Sequence, residues 1–179
     1  MSDGWSLPDV TIDWIIKNIP KNSRILEFGS GMGSVELAGH FEMYSIEHDE
    51  EWLNKSKQVN YIHAPLQETE DGMEWYDSEI VTNILKEPFD AIIIDGPPAS
   101  IGRKEICNYL EFMREVPIII VDDTQRDEEH EIAVVIQEEF ARTAKTLHES
   151  GQWSRVTTIL FSTQRHAEEI VHSSSEVIQ

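Results

Sequence analysis

The chain lacks three things, and each absence narrows its class. Cys107 is the single cysteine among 179 residues, so no internal disulfide can form and a reducing cytoplasm is the expected compartment. No uninterrupted apolar run approaches the roughly 20 residues that span a bilayer, and the N-terminus carries neither a basic segment nor a long apolar stretch, so no membrane partner is expected. Basic residues are scarce: 14 Lys and Arg stand against 34 Asp and Glu, a formal charge of −20 that repels phosphate backbones at long range. They are also scattered, which argues against extended nucleic-acid binding. Such acidity suits a neutral or cationic substrate, a saline cytosol or simply a soluble surface. A hydrophobic content of 40% over this length fits one globular domain, expected over 1–163, with a polar tail over 164–179.

Apolar residues in alternating periods give the outline. Val10, Trp14, Ile15 and Ile19 recur at helical spacing ahead of a strand at 24–29. A helix over 33–41, a strand over 43–48, a helix starting near Asp49 and a strand at Tyr61–Ala64 continue the βα alternation. The polar stretch 67–88, with a short helix around Ile80, Ile84 and Leu85, is a candidate insertion or lid. Two nearly continuous apolar runs, 89–95 and 117–121, have the pattern of central strands buried on both faces of a parallel sheet. A helix is expected over 103–115, between these strands. Thr124 with Asp127 fits a capping box for a helix striped by Ile132, Val135, Ile136 and Phe140, and strands near 144–148 and 155–162 close the domain.

The densest signal is Glu27-Phe28-Gly29-Ser30-Gly31-Met32-Gly33, where an apolar strand runs into three alternate glycines. A strand that must stop, reverse and offer helix N–H groups to a ligand needs residues without side chains there. Fourteen residues after Gly33, Glu47 closes the next apolar stretch, where a carboxylate can accept both hydroxyls of a ribose. The dinucleotide fingerprint Gly-x-Gly-x-x-Gly is not met, because the third glycine comes one residue early.

Glu27 to Gly33 resembles the acidic-x-Gly-x-Gly-x-Gly signature of class I S-adenosylmethionine-dependent methyltransferases, and the element order resembles that fold over about 9–163. The resemblance implies an α/β Rossmann-like domain, one doubly wound, mostly parallel seven-stranded sheet with helices on both faces. It also implies S-adenosylmethionine as cofactor. Gly29, Ser30, Gly31 and Gly33 would form the turn approached by its methionine and ribose parts, with Glu27 near the methionine end. Glu47 would hold the ribose hydroxyls and His48 would lie beside the adenine. Where the family often has an Asp for the adenine amino group, this chain has His63-Ala64-Pro65-Leu66-Gln67, so that contact would fall to backbone near Ala64 or to Gln67.

Three acids end the two central strands: Asp95, Asp122 and Asp123. In an open parallel sheet they fall where ligands bind, which makes Asp95 and Asp122 candidate catalytic groups. Together the three also resemble the divalent-metal site of catechol-type O-methyltransferases, implying Mg²⁺, Mn²⁺ or Ca²⁺, although Asp123 replaces the family's Asn and Pro98 its lysine; local capping is the alternative. The expected reaction is methyl transfer to a small-molecule or sugar acceptor, at oxygen. An N-methyltransferase is the alternative, because Asp95-Gly96-Pro97-Pro98 loosely resembles the Asn-Pro-Pro-Tyr signature of amino-group enzymes; a non-catalytic interaction module that retains the cofactor fold is another. Arg103 and Lys104 either grip an acidic substrate group or are solvated, and Trp75 and Tyr76 either stack on a ligand or pack under a loop.

Overall fold

A computed structural model describes residues 6–151 and 154–162. The expected tail, 164–179, lies outside the described residues. Helix α1 (Asp9–Asn18) leads into β1 (Arg24–Phe28), followed by α2 (Met32–Leu37), β2 (Glu42–Glu47) and β3 (Val59–His63). A hairpin of β4 (Leu66–Glu68) and β5 (Glu74–Tyr76) precedes α3 (Ser78–Leu85). Strand β6 (Ala91–Ile94), α4 (Leu110–Met113), β7 (Ile118–Val121), α5 (Asp127–Glu139), β8 (Thr143–Glu149) and β9 (Arg155–Phe161) complete the domain.

Seven strands form one sheet in the order β3-β2-β1-β6-β7-β9-β8. The five from β3 to β7 run parallel, and β9 is antiparallel to both of its neighbours. This is the expected seven-stranded, mostly parallel, doubly wound sheet. Alternation along the central strands assigns the faces. Ile25, Met43, Ile93, Ile118 and Ile120 pack with Ile12, Ile15 and Leu37 of α1 and α2. Leu26, Phe28, Ile92, Ile94, Ile119 and Val121 pack with Val81, Met113, Ile132 and Ile136 from the other helices. Strand order reverses at the β1/β6 junction, where open α/β sheets bind ligands beyond the strand C-termini.

Several local expectations change. The helix expected from Asp49 is a single 3₁₀ turn, Glu50–Trp52, because Leu53 is extended and Asn54 takes a left-handed φ of 64°. The 103–115 segment divides into a 3₁₀ stretch, Lys104–Tyr109, and the short α4. Thr124 does not cap α5; its hydroxyl donates to the Val156 carbonyl and pairs with Thr158 Oγ1 at 2.9 Å, tying the end of β7 to β9. The 67–88 stretch is the β4–β5 hairpin and α3, with Trp75 and Tyr76 each 1% exposed, so both rings pack beneath it.

Arg142, at the turn after α5, fastens the other end of the β7 layer. Its guanidinium donates to the carbonyls of Met113, Arg114, Val116 and Pro117 at 2.6–3.4 Å, satisfying acceptors left open where α4 ends. Truncating it leaves buried carbonyls without partners. Arg142→Met should lower the unfolding free energy by about 3 kcal/mol in urea titration, with Arg142→Lys recovering only part because one ammonium cannot reproduce the fork.

Candidate cofactor cleft and active site

Strand β1 ends at Phe28, and the chain turns at Gly29 with φ +88°, a conformation that side-chain-bearing residues rarely adopt. Strand β6 ends beside it, and Gly96 lies against Gly29. A Cβ on Gly29 would come within 3.0 Å of Gly96 Cα, and one on Gly96 within 2.6 Å of both Gly29 Cα and the Tyr76 hydroxyl oxygen. Above this crossing a cleft of about 480 Å³ opens, within the range typical of small-ligand sites. Gly29, Ser30, Glu47, His48 and Asp49 line it on the β1/β2 side, and Asp95, Gly96, Arg103 and Asp123 on the β6/β7 side.

Glu47 is 4% exposed and held by backbone donors at the rim. Its Oε2 accepts from Ser30 N–H at 2.8 Å, and its Oε1 from the N–H groups of His48 and Asp49 at 2.7 and 2.8 Å. This carboxylate therefore ties the glycine turn to the end of β2. His48 Nδ1 lies 2.8 Å from Glu47 Oε1.

Glu27 sits lower, on the α2 side of the sheet. Its Oε2 accepts from the hydroxyls of Ser34 and Ser45, and Ser34 Oγ in turn accepts from Gly31 N–H at 3.0 Å. An acid on β1 thus anchors the turn through a serine relay. Burial, offset in part by those hydroxyl donors, pushes the Glu27 carboxyl up to about 7.

The strand-end acids converge, with ligand atoms of Asp95, Asp122 and Asp123 within 4.8 Å of one another. Arginines oppose them. Arg103 Nη2 lies 3.4 Å from both Asp95 and Asp123, while its Nε donates to the Pro97 carbonyl at 3.0 Å. Arg155 pairs with Asp122 and lies 3.5 Å from Asp123, and Arg126 lies 3.0 Å from Asp123. These guanidinium groups supply the neutralising charge that a divalent ion would bring, so the donor set does not fit the Mg²⁺, Mn²⁺ or Ca²⁺ site expected of it. Asp123 reaches this position with a left-handed φ of 59°.

The expected site residues separate accordingly. Gly29, Ser30, Glu47, His48 and Asp95 all line the cleft, whereas Glu27 anchors the turn from below and Gly31, the N-cap residue of α2, does not line the cleft. Gly33 belongs to α2, where a Cβ would meet Ser6 and Leu7 of the N-terminal segment at 3.3 and 3.5 Å. Ala64 is buried, with its N–H on the Glu47 carbonyl, and Gln67 Nε2 donates to Asp77 Oδ2 at 2.5 Å; neither lines the cleft. Asp122 is fully buried, its oxygens taken by Arg155 and by Thr157 Oγ1 at 2.5 Å, so it is a fold-holding ion rather than a catalytic group facing the cleft. Asp95 remains at the cleft, its carboxyl held well above the usual carboxylate range by burial and by the charge of Asp122, against the opposing pull of Arg103. Lys104 is a surface group paired with Glu131 at 3.1 Å. Asp49, Trp52, Arg126 and Arg155 also line the cleft, and the sequence had not marked them as site groups. Trp52 follows Glu47 closely enough that its position after β2 was the available signal; the two arginines carried none.

Together these features fit a nucleoside-bearing cofactor: a backbone cradle that any Cβ would fill, a rim acid at the end of β2 and a cleft at the strand-order reversal. No family model matches the chain, and no curated protein does. Solved structures do. They include a methyltransferase from Pyrococcus furiosus, with 17% identity and a TM-score of 0.54 over 84% of this chain and 80% of that one. The putative tRNA (m1A22) methyltransferase Sp1610 from Streptococcus pneumoniae, in complex with S-adenosyl-L-methionine, matches with 13% identity and a TM-score of 0.52 over 85% of this chain and 72% of that one. The delta-N METTL16 methyltransferase domain matches with 12% identity and a TM-score of 0.56 over 84% of this chain and 80% of that one. The chain has the fold of the class I S-adenosylmethionine-dependent methyltransferases.

The Glu27 relay gives a pH signature. Its folded pKa lies above the ordinary 4.5, so the folded state holds this proton more tightly; the contribution is complete below pH 4.5, declines as pH rises and is lost above about 7. At about 1.4 kcal/mol per pKa unit the loss is about 3 kcal/mol. Urea titrations from pH 4 to 8 should show that decline in the wild-type protein relative to Glu27→Gln, and parallel curves would contradict the assignment.

Proposed function

We propose that the protein is an S-adenosylmethionine-dependent methyltransferase acting on a small acceptor. The observation that carries this reading is the convergence of the Gly29 turn, the Glu47 carboxylate and the β6 end at Gly96 on one cleft. The Gly29–Gly96 crossing lets a ligand lie directly on backbone, Glu47 offers its oxygens to ribose hydroxyls, and His48 and Trp52 flank the nucleoside end. When bound, the cofactor supplies an already activated methyl group, so the chain's task is alignment and proton removal. Asp95 is the group at the cleft suited to hold the acceptor's proton. Burial and the neighbouring charge of Asp122 raise its pKa, which makes the carboxylate a stronger proton acceptor. Arg103, 3% exposed, clamps Pro97 and Asp95 and so sets the wall against which the acceptor rests.

Acceptor class follows from charge. The cleft arginines are matched by Asp95, Asp122, Asp123 and Glu129, leaving no uncompensated basic track in the cleft among the described residues for a phosphate backbone. This favours a small neutral or cationic acceptor. The case for oxygen weakens, because the acids that motivated it are engaged by arginine. A second reading, N-methylation of RNA, draws on the S. pneumoniae neighbour, described as a putative tRNA (m1A22) methyltransferase.

Calorimetric titration with S-adenosylmethionine and S-adenosylhomocysteine should show binding, weakened by about 1–3 kcal/mol in Glu47→Ala as charge-assisted hydrogen bonds are lost, and unchanged by Mg²⁺ or EDTA. Transfer of labelled methyl to a panel of small alcohols and amines, and not to tRNA, supports the small-acceptor reading; the reverse pattern selects the second.

A further inference from the structure

Tyr76 is 1% exposed and lines the cleft, yet its hydroxyl has no hydrogen-bond partner among the described residues. Packing accounts for the ring. Its centroid lies 5.1 Å from that of Trp75, 6.1 Å from Phe28 and 6.0 Å from His48. Packing does not account for the oxygen, because phenylalanine would make the same ring contacts, whereas a buried hydroxyl without a partner costs free energy. That oxygen sits against the Gly29–Gly96 crossing, 2.6 Å from where a Cβ of Gly96 would be. The ring's neighbours Phe28 and His48 belong to the elements that carry Gly29 and Glu47, so the ring sits beside the cofactor half of the cleft, with its hydroxyl buried against the crossing.

Resting on the methyltransferase reading above, we infer that Tyr76 is a cofactor-positioning residue whose hydroxyl donates a hydrogen bond to an acceptor atom of bound S-adenosylmethionine at the β1/β6 crossing. The hydroxyl is a donor rather than a phenolate, since burial and the nearby Glu47 charge push its pKa well up. The β4–β5 hairpin, which is not part of the main sheet, is the element that delivers it. This gives the hairpin a role in ligand binding beyond covering the core.

Tyr76→Phe separates a ligand-facing hydroxyl from a structural one. In the ligand-free protein the urea midpoint should stay the same or rise, because the variant removes an unpaired polar group. The dissociation constants for S-adenosylmethionine and S-adenosylhomocysteine should rise about tenfold, the loss of one hydrogen bond. Wild-type affinity in Tyr76→Phe would overturn the inference, as would a lower midpoint in the ligand-free variant, which would make the hydroxyl part of the fold. Failure of the wild-type protein to bind either compound is a different result: it defeats the methyltransferase reading itself and this inference with it.

Discussion

The approach of two backbones at Gly29 and Gly96 is the constraint on which the rest of the site depends. Strands β1 and β6 pair in register from Ile25–Ala91 to Phe28–Ile94, so their chains leave the sheet side by side. A side chain on either glycine would strike the other backbone. Keeping both positions bare leaves room for a ligand directly on the sheet's C-terminal edge, at the point where strand order reverses. Other groups serve that geometry: Glu27 steadies the turn from below through Ser34, Glu47 ties it to β2 from the side, and Tyr76 closes the floor between them.

The second organising feature is a network of buried charge on the β7 side. Asp122 is fully buried, Asp123 is 5% exposed and Arg103 3%, an arrangement that costs desolvation and survives only when each charge has close partners. The arginines come from the loop after β6, the turn before α5 and the start of β9, so the network joins three segments around the β6/β7 side of the cleft. A chain with formal charge −20 thus places several of its few cations here, matched to acids, and presents a neutralised pocket rather than a basic surface. Among the described residues no helix is long and apolar enough to cross a membrane.

Legibility in the sequence followed the range of the forces involved. The runs that became β6 and β7 were readable because strands buried on both faces need apolar residues at every position, and Gly29 because only a glycine-rich turn relieves the crowding at a strand end. Glu47 was readable by its place after an apolar stretch. Asp122 was misjudged because its partners, Arg155 and Thr157, lie more than thirty residues away and reach it only through the antiparallel β7–β9 pairing. Thr124 failed as a cap for the same reason, its hydroxyl being drawn to Val156 and Thr158. Gly33 matched the motif by spacing yet serves the packing of α2 on the N-terminal segment. No local pattern shows that Tyr76 would bring an unpaired hydroxyl to the crossing.

Mapping of backbone amide shifts during titration of ¹⁵N-labelled protein with S-adenosylhomocysteine tests the account most directly. The largest changes are expected at Gly29, Ser30, His48, Asp49 and Gly96, with little effect at Gly33 and Ala64. Shifts centred elsewhere on the fold, with the Gly29 and Gly96 amides unmoved, would contradict a cofactor cleft at the β1/β6 crossing.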